Sequence, residues 1–152
     1  MAAKYKYMFG GHFSVPMMVR MVIGRSWGQG AQHSQSLQSL FAHIPGLLVL
    51  MPSTPDAIVK SYAYAVAHHR GPVIMFEHRL MYDLAFNASQ RPLVDDPFAS
   101  RLEREGRDVT IVATSIMVLE ALRASNYLAD FGIHCEVIAI RYFGTFCRGY
   151  CR

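Results

Sequence analysis

A glycine-rich loop, residues 24–35, most constrains how this chain can fold. Three of its first seven residues are glycine, and a histidine, His33, stands near its end. Because glycine has no Cβ, such a loop can turn sharply and approach a ligand closely. A helix that began directly after it would offer unpaired N–H groups to an anion or a polarised carbonyl. The sequence therefore predicts a functional site here, with His33 as its proton-exchanging residue. The alternative is a plain connection that contains a structural histidine.

Apolar runs place this loop at one edge of a predicted parallel sheet. Residues 15–23, 47–51 and 72–77 are almost unbroken apolar stretches, typical of strands buried on both faces of such a sheet. Helical spacing separates them at residues 32–43 and from Ser53 or Thr54 to Arg70. Open α/β sheets bind ligands at the carboxyl ends of their strands. We predict an α/β fold, a parallel sheet with helices on both faces, with the loop at its ligand-binding edge.

The two predicted helices each have an apolar stripe that we expect to face the sheet. The first stripe consists of Leu37, Leu40, Phe41 and Ile44. The second consists of Ile58, Val59, Tyr62, Ala63 and Val66. Ser53 or Thr54 is expected to cap the second helix, with Pro55 in its first turn.

The second half of the chain predicts a second α/β unit. Residues 91–107 combine prolines with a charged run and are interpreted as an interdomain linker. Apolar strands are predicted at residues 108–114 and 135–140, with a helix between them that is capped by Ser115. Residues 1–90 are therefore interpreted as the first domain, and residues 108–152 as the beginning of a second.

Composition argues against several classes of protein. The formal net charge is +4. Residues 1–140 carry 12 basic and 11 acidic side chains, so most of this charge comes from the end of the chain, at Arg141, Arg148 and Arg152. No basic stripe with interleaved aromatics indicates nucleic-acid binding. No apolar run approaches the ~20 residues of a membrane helix, and the start of the chain has no secretory signal. The three cysteines form neither a disulfide framework nor a zinc spacing, which favours a reducing compartment.

Five motifs in a fixed order resemble one enzyme family. Gly-Ala-Gln-His-Ser-Gln at residues 30–35 precedes Ile-Pro-Gly-Leu at 44–47 and Pro-Ser-Thr-Pro-Asp-Ala at 52–57. A Glu-x-x-Leu-x-Tyr segment follows at 77–82, and Gly-x-x-x-Glu-Val-Ile at 132–138. This order resembles the beta subunits of thiamine-diphosphate-dependent 2-oxo acid dehydrogenases, such as pyruvate dehydrogenase. The resemblance implies a transketolase-like pyrimidine-binding domain followed by the start of a transketolase-like C-terminal domain.

The resemblance also implies a reaction. His33 matches the histidine that faces the reactive end of the cofactor, where it would orient the substrate carbonyl by hydrogen bonding and proton exchange. Thiamine diphosphate would attack a 2-oxo acid, carbon dioxide would leave, and the acyl unit would pass to a lipoyl group. No other side chain of this chain is assigned to cofactor binding. The family's potassium site would lie at the turn 66–71, but His69 stands where the family carries an acidic residue, so no metal site is expected.

The implied partners are an alpha subunit, which carries the magnesium site, a second beta subunit and a lipoyl-bearing acyltransferase. The implied location is cytoplasmic in a bacterium, and the mitochondrial matrix or a plastid in a eukaryote. In this family the glutamate that activates the cofactor, and the aromatic residue that stacks on it, lie upstream of the matching part. We therefore expect the chain to be a fragment that is inactive alone.

Two further expectations concern the tail and the alternatives. Residues 141–152 depart from the family's Arg-Thr-x-x-Pro continuation, and a shifted reading frame or a truncated gene would explain this. A non-catalytic assembly module or remnant is the first alternative to an enzyme subunit. A fragment of another thiamine-diphosphate enzyme, such as acetoin dehydrogenase, transketolase or deoxyxylulose-phosphate synthase, is the second.

Overall fold

The computed structural model describes residues 1–25, 28–85 and 98–143. Within these ranges the chain forms four α-helices and seven strands, together with short 3-10 turns at Ala31–His33 and Arg79–Met81. The helices are α1 (Ala2–Met8), α2 (Gln38–Ala42), α3 (Pro55–Ala67) and α4 (Ile116–Ala129). The strands are β1 (Met18–Ile23), β2 (Leu48–Leu50), β3 (Val73–His78), β4 (Arg101–Arg104), β5 (Val109–Ala113), β6 (Cys135–Ala139) and β7 (Tyr142–Phe143).

A four-stranded sheet in the order β1-β3-β2-β7 forms the centre of the first unit. Strands β1 and β2 both run parallel to β3. Alternate side chains of these strands face two separate apolar cores, because successive residues of a strand point to opposite sides. Phe41 of α2 packs on the core that contains Phe76, and Ala65 of α3 belongs to the core that contains Met75. The predicted α/β fold, with helices on both faces of the sheet, is confirmed.

Helix α3 begins where the sequence predicts but turns a different face to the sheet. Thr54 caps it by accepting a hydrogen bond at Oγ1 from the backbone N–H of Ala57 over 3.2 Å, and Pro55 opens the first turn. Its buried residues, however, are Ala57, Ser61 and Ala65. Three members of the predicted inner stripe are exposed: Ala63, Val59 to 68% and Val66 to 77%. These small residues lie one turn apart on one face of the helix and allow the helix to lie close to the sheet. Close packing of this small face therefore decides which side of α3 is buried, although larger apolar side chains lie on another face.

Strand β1 and helix α2 also differ from the prediction. Of the six residues of β1 only Ile23 is buried, because β1 lies at the edge of the described sheet. The helix predicted at residues 32–43 begins only at Gln38, after the short 3-10 turn. The backbone oxygen of Gln35 accepts a hydrogen bond from the N–H of Gly24, which holds that residue outside a helix. In the predicted stripe Phe41 packs inward, while Leu40 is 61% exposed.

The second unit is a three-stranded sheet in the order β4-β6-β5, with α4 between β5 and β6 in the chain. Strands β5 and β6 are parallel, as expected for a βαβ unit. Strand β4 pairs antiparallel with β6 and lies inside the predicted linker, so that β-structure begins earlier than expected. Ser115 occupies the N-cap position of α4 as predicted, but its φ is 51° and its side chain does not cap the helix.

The beginning of the chain's tail returns to the first sheet. Strand β7 pairs antiparallel with β2, opposite Val49 and Leu50, and the N–H of Met51 donates to the backbone oxygen of Arg141 over 2.7 Å. Tyr142 and Phe143, which belong to the tail that departs from the family's continuation, therefore form a short strand. Residues 144–152, including Cys147 and Cys151, lie outside the described residues. In the described part of the chain, no helix has both the length and the apolar character needed to cross a membrane.

Candidate functional site

The carboxyl ends of β1, β2 and β3 meet at one edge of the first sheet because these strands are parallel. The loop after β1 lies at this edge beside a pocket of about 320 Å³. Apolar side chains from the sheet and from α2 form part of its wall, including Met21, Ile23, Phe41 and Phe76. Polar side chains complete it, namely Gln32, His33, Gln35 and Arg79. The structure thus brings the predicted site residue to a cavity on the predicted edge.

His33 reaches this position through a glycine-dependent turn. It is the last residue of the 3-10 turn Ala31–His33, and Gly30 precedes this turn with a φ of 68°. Its side chain is exposed. The sequence predicted that His33 stands at the start of an α-helix, and this prediction is wrong. Helix α2 begins five residues later and has no side-chain cap. The expected anion site at an α-helix N-terminus is therefore not formed beside His33.

The last residue of β3 and the residue directly after it contact this loop at two points. Ile23 and His78 are the last paired residues of β1 and β3, so that the two following segments start side by side. The His78 imidazole lies over Gly24, where any Cβ would overlap its Nε2 atom. Arg79 donates a hydrogen bond from Nη1 to Oε1 of Gln29. The first residue of the loop and Gln29 near its middle are thus in contact with side chains of β3 or of the turn that follows it.

A hydrogen-bonded network surrounds the buried carboxylate of Glu77 beside this segment. Arg20 donates from Nε to Oε2 of Glu77 over 2.7 Å. Tyr62 donates to Oε1 over 2.5 Å, and Tyr82 to Oε2 over 2.9 Å. Arg20 also donates to the hydroxyl of Tyr82 over 2.7 Å. The network joins β1, α3, β3 and the turn after β3, and it satisfies both carboxylate oxygens.

These contacts shift the protonation of several groups. Burial disfavours the Glu77 anion, but hydrogen bonds from Arg20, Tyr62 and Tyr82 outweigh it and lower the pKa of Glu77. Burial, together with the hydrogen bond to Glu77, raises the pKa of Tyr62 to about 12. Burial and the neighbouring Arg79 lower the pKa of His78. Since the Nδ1 atom of His78 accepts the N–H of Leu80 over 3.3 Å, its neutral imidazole holds the proton at Nε2.

The pocket beside His33 suits the organic part of a cofactor better than a metal-bound part. Its apolar wall can contact a flat ring, and Gln32 and Gln35 offer amide donors and acceptors. Among the described residues, no group of three or more histidine, cysteine or acidic side chains could hold a metal ion. The residues that line this pocket therefore fit a heterocyclic ring.

Sequence reasoning singled out His33 but assigned no role to Arg20, Glu77 or Arg79. Arg20 and Glu77 did give a signal, since each is a charged residue within or at the end of an apolar strand. Two opposite charges on neighbouring strands favour an ion pair, but the pairing register was needed to bring them together. The contact between Arg79 and Gln29 has no local sequence signal.

Comparison with protein families matches most of the chain. The family described as transketolase, pyrimidine binding domain, matches residues 1–83, more than half of the chain. The family described as transketolase, C-terminal domain, matches residues 99–148.

Two curated relatives are similar over nearly the whole chain. The beta-2 subunit of the mitochondrial pyruvate dehydrogenase E1 component of Oryza sativa subsp. japonica is 43% identical over 146 residues, 92% of this chain and 38% of the relative. The beta subunit of acetoin:2,6-dichlorophenolindophenol oxidoreductase of Cupriavidus necator is 39% identical over 140 residues, 92% of this chain and 41% of the relative. The chain thus spans about two fifths of the length of these relatives.

Solved structures share the fold. A split-gene transketolase, described as an inactive beta4 tetramer, superposes with a TM-score of 0.62 at 28% identity, covering 80% of this chain and 38% of that chain. A transketolase mutant from Pichia stipitis superposes with a TM-score of 0.69 over 93% of this chain and 22% of that chain, and its 18% identity supports the fold alone. With the matched domain, the parallel sheet and the loop at its carboxyl edge, the chain belongs to the transketolase pyrimidine-binding domain family.

Proposed function

We propose that this chain is part of the beta subunit of a thiamine-diphosphate-dependent 2-oxo acid dehydrogenase, with pyruvate as the substrate. The observation that carries the proposal is the position of His33, at a pocket on the carboxyl edge of the parallel sheet. Its support is the similarity to a pyruvate dehydrogenase E1 beta subunit over 92% of the chain. We propose residues 1–90 as the pyrimidine-binding part, and residues 108–152 as the start of the C-terminal domain.

In this proposal His33 acts on the substrate carbonyl. Thiamine diphosphate, when bound, supplies the nucleophilic carbon that makes decarboxylation of a 2-oxo acid feasible. The His33 imidazole would donate a hydrogen bond to the carbonyl oxygen, or exchange a proton with it. Phe41 and Phe76 would exclude water from one side of the pocket, and Gln32 and Gln35 would orient polar groups of the ligand.

The complete site requires other chains in this proposal. An alpha subunit would carry the magnesium site. A second beta subunit and a lipoyl-bearing acyltransferase would complete the assembly. The location would be cytoplasmic in a bacterium, or the mitochondrial matrix or a plastid in a eukaryote. Alone, the chain is proposed to be inactive.

The first experiment is the intact mass of the endogenous protein, followed by reconstitution. A mass well above 17.1 kDa, with a glutamate-bearing upstream peptide, would support a beta subunit of which these residues are a part. In the assembled enzyme His33→Ala should lower kcat by about 10²- to 10⁴-fold, the usual contribution of a positioned proton donor. His12→Ala, an exposed histidine outside the pocket, is the matched control and should leave kcat unchanged. Unaltered kcat in His33→Ala would refute the catalytic role.

Two alternatives have specific support. The relative from Cupriavidus necator is named for acetoin, so acetoin cleavage is a second candidate reaction, tested by offering both substrates to the reconstituted enzyme. The split-gene transketolase described as an inactive beta4 tetramer favours an assembly of beta chains without activity. An endogenous mass of 17.1 kDa, with no thiamine diphosphate bound in the presence of an alpha subunit, would favour this second alternative.

A further inference from the structure

The loop that carries His33 is held from the side by a neighbouring strand. Strands β1 and β3 pair in parallel up to their last residues, Ile23 and His78. The next residue after β3, Arg79, donates a hydrogen bond from Nη1 to Oε1 of Gln29. Gln29 lies between two glycines with positive φ, 65° at Gly28 and 68° at Gly30. A side-chain contact at Gln29 therefore restrains the part of the loop that has the greatest backbone freedom.

The same arginine lies in the wall of the pocket that contains His33. A second restraint acts at the start of the loop, where the His78 imidazole covers Gly24 and the Gly24 N–H donates to the backbone oxygen of Gln35 over 3.4 Å. The first residue of the loop is thus tied to a residue just after His33. Gln29, four residues before His33, is tied to Arg79. Between them these contacts fix the loop before and after His33.

We propose that Arg79 is a positioning residue, which clamps the loop through Gln29 and so holds His33 at the pocket. The catalytic consequence rests on the proposed function, whereas the clamp itself is a property of the chain alone. A hydrogen bond from a charged donor is stronger than a neutral one, which suits a contact that orders a glycine-rich segment. Arg79 touches the loop and is not assigned contact with substrate.

The clamp is tested on the 152-residue chain by the rate at which trypsin cuts after Arg25, followed by mass spectrometry. Arg79→Gln should accelerate this cleavage by about tenfold, the equilibrium effect of losing one charge-assisted hydrogen bond. Gln29→Ala should produce the same acceleration, and the double variant should show no further effect. Arg79→Lys, which keeps a charged donor, should restore most of the protection. Arg70→Gln, an exposed arginine beyond the end of α3, is the matched control.

The position of His33 is read separately, from the chemical shift of its imidazole Cε1–H resonance at one fixed pH. Arg79→Gln should change this chemical shift, and Arg79→Lys should return it towards that of the parent chain. Urea unfolding of each variant checks that the fold is intact. Unchanged cleavage and an unchanged His33 resonance in a folded Arg79→Gln chain would overturn the clamp.

In the reconstituted enzyme, Arg79→Gln should lower kcat with little change in KM, since a loosened loop misplaces a catalytic group without removing binding contacts. The proposed function and the clamp can fail independently in these experiments. Full activity in His33→Ala would overturn the catalytic role of His33 and the catalytic consequence of the clamp with it, even if the loop is clamped. A reconstituted parent enzyme that does not decarboxylate a 2-oxo acid would overturn the proposed function, while cleavage after Arg25 still tests the clamp. Faster cleavage with unchanged kcat in Arg79→Gln would overturn the positioning role alone.

Discussion

Arg20 and Glu77 join the two parallel strands that lead to the candidate site, with Nε of Arg20 donating to Oε2 of Glu77 over 2.7 Å. The carboxylate is almost fully buried, whereas the arginine side chain is 53% exposed. Two tyrosine hydroxyls complete the shell around the carboxylate. A buried charge that is fully hydrogen-bonded specifies how its neighbours must be arranged, and a buried charge without partners destabilises the fold. This network therefore fixes β3 against β1 at the end nearest the pocket.

Glu77→Gln should destabilise the fold by about 1–3 kcal/mol. The amide keeps an acceptor for one tyrosine but removes the charge that Arg20 faces, and breaking a buried pair is costly. Because the Arg20 side chain is half-exposed, the loss of stability should be smaller than for a fully buried ion pair. Urea unfolding measures the change. Glu120→Gln removes one partner of the exposed pair Arg123–Glu120 and should cost less than about 0.5 kcal/mol, so equal losses in the two variants would contradict the prediction.

Acid should weaken the folded state through Glu77. Its pKa is lower in the folded state than the ordinary value of 4.5, because the hydrogen bonds from Arg20, Tyr62 and Tyr82 outweigh the effect of burial. The stabilisation is therefore fully present above pH 4.5 and is lost as the pH falls from there through the lowered pKa. Urea unfolding at neutral pH and at about pH 3 should show that the difference between the parent chain and Glu77→Gln shrinks in acid. A difference that does not depend on pH would refute this role.

Alkali should weaken the folded state through Tyr62. Folding raises the pKa of its hydroxyl from 10.0 to about 12, through burial and the hydrogen bond to Glu77, so the folded state binds this proton more tightly. The stabilisation is complete below the unfolded pKa and is lost as the pH rises from about 10 to 12. Tyr62→Phe should remove this loss and should cost about 1 kcal/mol at neutral pH. The control is Tyr127→Phe, at a residue that is 65% exposed. This variant should lose stability between about pH 10 and 12 as the parent chain does.

The sequence predicted those features that depend on local composition. Strands β2 and β3 were identified because burial on both faces requires an unbroken apolar run. The same reasoning predicted that β1 is buried, but an apolar run does not distinguish a central strand from an edge strand. Helix α2 was placed too early because the hydrogen bond from Gly24 to Gln35 joins residues in a way that propensity does not predict.

In the candidate site, too, the sequence predicts the local features and not the long-range contacts. The loop and His33 form a contiguous motif, so the sequence could identify them without knowledge of the fold. The side-chain contacts that hold the loop from β3, such as that between Gln29 and Arg79, join residues 50 or more positions apart, and they depend on the pairing register of β1 and β3. Strand β7 is a similar case, because Tyr142 becomes part of a strand only through its pairing with Leu50 of the first unit.

A side chain at Gly46 should destabilise the fold for two separate reasons, the backbone conformation of this residue and the lack of space beside it. Its φ is 94°, a conformation that disfavours every residue with a Cβ, and a Cβ at this position would overlap the backbone oxygen of Ala3. Helix α1 contains Ala3 and is held near this turn by a hydrogen bond from Lys4 Nζ to the Pro45 oxygen over 2.9 Å. Backbone atoms cannot move aside as a flexible side chain can, so Gly46→Ala must either displace α1 or distort the turn before β2.

Gly132→Ala separates the strain from the overlap. Gly132 also has a positive φ, 76°, but a Cβ there would have no neighbour within 4 Å. This control should therefore cost only the backbone strain, about 1 kcal/mol. Gly46→Ala should cost at least about 1–2 kcal/mol more, the range for forcing atoms into a filled space. Urea unfolding of both variants provides the comparison, and hydrogen exchange should be faster in α1 of Gly46→Ala than in α1 of the parent chain. Equal costs in the two variants would mean that α1 does not press on the turn.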